Sequence, residues 1–117
     1  MIEMPHAVLD KPVDLVRFAE KFVPIFKKDN YLIKIENIFV DMHKRTALLP
    51  TVVIDSEKQN FFVEILSGGE KTTVRLFPLT DPKKTYGVKS ALGLVAASLL
   101  KQNQDLVITK TNIREFI

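Results

Sequence analysis

The sequence predicts an α+β fold, a two-layer sandwich of two helices and a mainly antiparallel sheet in the order α-β-β-β-β-α-β. Three observations predict it. Apolar residues recur at helical spacing over residues 12–28, the period falls to two over residues 31–79, and a nearly all-apolar helical stretch at 88–100 precedes a last strand. At 117 residues, with 46% hydrophobic and 26% charged, the chain suits one globular domain spanning 1–117.

In the first helix Leu15, Phe18, Phe22 and Ile25 form an apolar stripe beside Val16, Ala19, Val23 and Phe26. Asp10 stands at the capping position and Pro12 suits the first turn. Asp14 complements the positive helix end, and Lys27 and Lys28 the negative end. Pro24 conflicts with this pattern, because it lacks an N–H and clashes with the carbonyl four residues earlier. A kink or break is predicted near Lys21, with a short second helical turn after it.

The period-two region predicts four strands, at 31–40, 46–54, 60–66 and 71–79, joined by polar turns. In the first, the apolar phase moves from Tyr31, Ile33 and Ile35 to Ile38 and Val40, which implies a bulge at Glu36-Asn37. Pro50 likewise implies an edge or a bulge. Gly68-Gly69 reads as a two-residue hairpin loop and sets a register. Ile65 then opposes Thr72, Val63 opposes Val74 and Phe61 opposes Leu76 on the core side. On the other side Glu64 opposes Thr73, Phe62 opposes Arg75 and Asn60 opposes Phe77.

Residues 80–87 read as a turn and 88–100 as a largely buried helix. Its least apolar stripe, Lys89, Gly93, Ala97 and Lys101, would let another backbone approach closely. A strand at 105–110 and a short apolar tail at 113–117 complete the chain. This element order resembles one repeat of the TATA-box-binding protein fold. The resemblance covers order alone, without that repeat's sequence motifs, and implies no site residue.

The chemistry-bearing residues are sparse and scattered. There is no cysteine, and the two histidines, His6 and His43, fall on the N-terminal segment and a turn, so no metal site is expected. The serines lie in turns or on the last helix without a nucleophile elbow, and the carboxylates occupy caps, turns or outward strand positions. Gly68-Gly69 links two strands, whereas a phosphate-binding loop leads from a strand into a helix. The chain is expected to be no enzyme and to need no cofactor. The start, Met1-Ile-Glu-Met-Pro-His, lacks a basic region followed by an apolar run, and the apolar stretch at 94–100 is broken by Ser98. A cytoplasmic protein without membrane association is the expectation.

Two surfaces remain as binding candidates. Lys83, Lys84, Gly87 and Lys89, with Tyr86, gather at the start of the last helix, where free N–H groups favour an anion; the competing reading is a solvated lysine turn. The sheet side carrying Phe62, Arg75 and Phe77 is the second. With Leu66 it forms an apolar patch suited to a protein partner or a homodimer, the preferred function. The alternative is stacking of nucleic-acid bases there, supported by Lys71 and His43-Lys44-Arg45, which the net charge of +3 permits. Against both stands the possibility that a helix covers this side. The Gly93 and Ala97 stripe is a further candidate for dimerisation, and an apolar cavity between helices and sheet stays open.

Overall fold

The computed structural model describes residues 4–117 and opens on a strand, β1 (His6–Leu9), absent from the expected order. Met1, Ile2 and Glu3, the head of the N-terminal stretch read above, lie outside the described residues. The four residues of β1 are too few to show a period of their own. Their ladder comes from distant chain, with Ala7 opposite Val74 on one side and Thr111 on the other.

Helix α1 (Leu15–Lys21) begins later than the apolar stripe suggests. Asp14 is its cap and accepts the Arg17 N–H at 3.1 Å, whereas Asp10 accepts the Val107 N–H at 2.9 Å and ties the two ends of the chain together. The helix breaks after Lys21, because Pro24 can neither donate to the Glu20 carbonyl nor fit against it. The chain beyond is a strand, β2 (Ile25–Lys28), not a second helical turn. Freed from the helix, Ile25 to Lys28 pair residue by residue with β3 (Leu32–Ile35).

The remaining elements are β4 (Phe39–Val40), β5 (Thr46–Ile54), β6 (Lys58–Gly68), β7 (Lys71–Leu76), α2 (Tyr86–Gln102), β8 (Ile108–Thr111) and a 3₁₀ turn (Arg114–Phe116). The fold is α+β and mainly sheet, with eight strands and two α-helices among the described residues. Every pairing is antiparallel in the order β2-β3-β5-β6-β7-β1-β8, and β4 also pairs with β5. The observed order, β-α-β-β-β-β-β-β-α-β, therefore departs from the expected one by the two short strands β1 and β2 and the division of the first long strand.

That division is the predicted bulge. Ile35 opposes Thr51 and Phe39 opposes Leu48, so Glu36, Asn37 and Ile38 stand against only Leu49 and Pro50. Pro50, with no N–H to give, sits where the neighbouring ladder is interrupted.

The β6–β7 hairpin turns at Gly69-Glu70 rather than Gly68-Gly69. Gly68 pairs with Lys71, and Gly69 takes a φ of +62°, the left-handed value that suits glycine at the first central position of a II′ turn. Each opposing pair therefore moves by two positions. Ile65 faces Val74, Val63 faces Leu76 and Glu64 faces Arg75. A two-residue slip preserves parity, so every side chain stays on its expected side.

Both helices lie against one face of the curled sheet. Leu15 and Phe18 of α1, and Val88, Leu92, Val95 and Leu99 of α2, share a single buried cluster with Ile33, Leu49, Val63, Ile65 and Leu76. The Tyr31 hydroxyl and Ser90 Oγ, 2.6 Å apart, fasten α2 to the chain leading into β3, and the 3₁₀ turn crosses the back of α2.

Candidate interaction face of the sheet

With the helices on the inner face, the alternate side chains of every strand point to the other side, and the register aligns them in rows. Pro50, Phe62 and Phe77 form one row. Leu48, Glu64, Arg75 and His6 form the next, followed by Leu66, Thr73 and Val8. On the other flank Lys34, Val52 and Asn60 align, then Leu32, Ile54 and Lys58. The partner-binding candidates Phe62, Arg75, Phe77 and Leu66 thus share one face, all half-buried. The Phe77 N–H donates to the Phe62 carbonyl at 2.9 Å, and the two rings meet edge to face with centroids 6.1 Å apart.

Arg75 is not the free cation that the shifted register had placed opposite Phe62. Its Nε donates to Glu64 Oε1 at 2.8 Å, and the Glu64 side chain is 7% exposed while that of Arg75 is 41% exposed. Lys34 is likewise paired, with Glu36 at 2.6 Å. The charges in the middle of the face are neutralised within the chain.

The bulge opens a groove of about 580 Å³ beside this face, with Phe39, Pro50, Val52 and Phe62 as its apolar lining and Lys34 and Asn60 at its sides. It lies on the outer side, away from the helix layer. The residues that sequence reasoning missed are Phe39 and the outward row of β5: Leu48, Pro50, Val52 and Ile54. Their signal was present. Positions 47–50 and 52–54 are apolar in both phases of the strand, the pattern of a strand covered on both faces.

The second candidate, the lysine-rich start of α2, is tied up within the chain. Lys83 pairs with Glu57 at 2.7 Å, Lys84 with Asp81 at 2.5 Å, and the Lys89 ammonium lies 5.9 Å from the centre of the Tyr86 ring. The hydrogen bond and charge of Glu57 hold Lys83 above its ordinary pKa. Thr85 caps the helix, accepting the Val88 N–H at 3.3 Å. Gly87 is required there, since a Cβ would fall 2.6 Å from Val53 Cγ1 and 2.7 Å from Asp55 Oδ2. The Asp55 carboxylate therefore stands at the positive end of α2. Burial pushes its pKa up, but hydrogen bonds from Thr85 and from the Ser56 and Glu57 N–H groups outweigh this and hold it below 3.8.

Asp41 caps its own turn, accepting the Arg45 and Thr46 N–H groups at 3.0 and 3.1 Å, and His6 Nδ1 lies 2.9 Å from the Met4 carbonyl. Among the described residues no three His, Asp or Glu side chains gather to hold a metal ion. No helix of the described residues is long and apolar enough to cross a membrane. Gly93, centre of the small-residue stripe on α2, is covered by the chain's own Phe116. Comparison with protein-family models, with curated proteins and with solved structures finds no match.

Proposed function

We propose that the chain is a non-catalytic binding or assembly module, a two-layer unit with helices on one side and a working contact face on the other, whose occupant is a protein chain. One observation carries this reading. β5 is apolar on both faces, yet the chain's own helices cover only the inner one. Around Leu48, Pro50 and Val52 stand Phe62, Phe77 and Leu66, giving an apolar middle whose two charges, Glu64 and Arg75, satisfy each other. An apolar centre with unpaired charge kept to its margin is the anatomy of a protein contact.

Base stacking on the same phenylalanines is less well supported. The cations nearest the rings, Arg75 and Lys34, already hold carboxylates, and phosphates would have to compete for them.

The test compares wild type with Phe62→Lys and Val52→Lys by circular dichroism and urea unfolding. A contact face tolerates both, with stability lowered by no more than about 1 kcal/mol, the centre of the range for point substitutions. At concentrations too low for self-association it also binds an apolar dye in the wild type and less in either variant. If Phe62→Lys unfolds the chain, the phenylalanine is core and the reading is wrong.

A further inference from the structure

We infer that the occupant of the outer face is a second copy of this chain, packed sheet to sheet about a twofold axis passing near Phe62. This rests on the contact face proposed above and adds who occupies it. β6 is the fourth of the seven strands in the path across the sheet, and Phe62 lies near the middle of its eleven residues, so the most apolar row sits at the centre of the face. A twofold axis there sets the row against itself, and such a contact needs a surface that is self-complementary.

Charge satisfies this condition. Two copies of a surface with an unpaired central cation would repel, but here Arg75 is matched by Glu64 and Lys34 by Glu36 inside each copy. The lysines at the ends of the outer rows, Lys58 on β6 and Lys28 on β2, lie at the margin, where water and salt screen them. An acidic partner would gain little at the neutral centre, and a polyanion less.

Area satisfies it as well. The five strands β3, β5, β6, β7 and β1 are adjacent in the sheet. With 34 residues at ~3.3 Å each and ~4.8 Å between strands they present about 540 Å² in flat projection, and all eight strands, with 44 residues, about 700 Å². A standard interface takes about 800 Å² from each partner, and side-chain relief makes up the difference. The surface also carries both parts of an interlocking contact: the groove over Pro50, Val52 and Phe62, and beside it Phe26, which is opposite Lys34 on the edge strand and 64% exposed. Two twisted sheets packed ~10 Å apart would place the helices of both copies outside, as α-β-β-α layers.

Sedimentation velocity from micromolar to millimolar concentration tests this, with Phe62→Lys, Val52→Lys and two single-cysteine variants made in a chain that has no cysteine. The wild type is expected to dimerise, each lysine substitution to weaken dimerisation about thirtyfold or more, as for a central hot spot, and each variant to keep its fold. A short bis-maleimide should join Asn60→Cys to itself and leave Lys101→Cys, on α2, unjoined. Dimerisation should strengthen with salt, because the marginal lysines repel, where nucleic-acid binding would weaken. A folded wild type that stays monomeric at millimolar concentration, with Asn60→Cys unjoined, overturns the second copy but not the contact face. So does a monomer that retains single-stranded oligonucleotides at low salt. A dimer untouched by Phe62→Lys and joined through Lys101→Cys also overturns it. Unfolding of Phe62→Lys overturns both the second copy and the contact face.

Discussion

Glu64 and Arg75 oppose each other across β6 and β7, with Arg75 Nε 2.8 Å from Glu64 Oε1 and the carboxylate nearly buried beside Phe62 and Leu66. Glu64 has given up most of its water, and one charge-assisted hydrogen bond offsets that loss. Arg75→Met is therefore expected to cost about 1–2 kcal/mol, below the cost of breaking a fully buried pair because the guanidinium is partly solvated. Adding Glu64→Gln should recover most of the loss. Urea unfolding of the two single variants and the double variant measures this coupling, and strictly additive losses would show that the pair contributes nothing beyond its parts.

Gly93 makes the closest helix contact with the end of the chain. A Cβ there would lie 2.0 Å from the Phe116 carbonyl oxygen, a backbone atom that cannot rotate away. Gly93→Ala should raise intrinsic helix propensity by about 1 kcal/mol, yet destabilise the protein by about 1–3 kcal/mol net through overpacking. The strain has one outlet, lifting of the 3₁₀ turn. Hydrogen exchange at the Phe116 and Ile117 amides, which donate to Ile113 and Arg114, should speed up before any other backbone group responds.

The parts of the fold legible in the sequence are those fixed by local rules. Pro24 ended α1 at Lys21, and the phase change between Ile35 and Ile38 located the bulge that also accommodates Pro50. β2 was not legible, because Ile25 and Phe26 continue the helical stripe and only the partner strand β3 decides their conformation. β1 is four residues whose partners lie at the other end of the chain. The hairpin signal placed the loop within one residue and kept every side chain on its correct face, but the slip of two concealed the pairing of Glu64 with Arg75. The candidate face was thus visible in outline, while its neutral charge and groove depend on register and bulge together.

Ser67 joins the segment before α1 to the sheet through one hydroxyl. It accepts the Val13 N–H at 2.8 Å and donates to the Val13 carbonyl at 3.0 Å, while Thr72 donates to the Lys11 carbonyl at 2.8 Å. Ser67→Ala strands both backbone groups of Val13 in a partly buried place and should cost about 1–3 kcal/mol. Thr72→Val should cost less, because Lys11 is exposed and water can serve its carbonyl. Chemical denaturation of the two variants ranks them, and equal losses would mean that the Ser67 bonds are replaced by solvent.

Asp55 links stability to pH. Burial opposes its charge, but hydrogen bonds from Thr85, Ser56 and Glu57 hold its folded pKa below the ordinary 3.8, and the start of α2 lies against it. In the unfolded chain those bonds are absent, so near pH 3.8 the unfolded state binds more protons than the folded one. The contribution of Asp55 is therefore complete above that value and is lost as pH falls through the lowered folded pKa. Asp41 acts in the same direction, its own desolvation outweighed by the Thr46, Arg45 and Lys44 N–H groups and the charge of His43, though its exposure keeps the effect small. Asp55→Asn should lower stability by about 1 kcal/mol at neutral pH, the scale of a capping or helix-end charge. The gap between variant and wild type should close as the pH falls through the lowered folded pKa, below which the wild-type carboxyl is protonated in both states. Urea unfolding across this range measures the gap directly, and a gap that stays constant to the lowest pH would mean that the Asp55 charge plays no part in holding the start of α2.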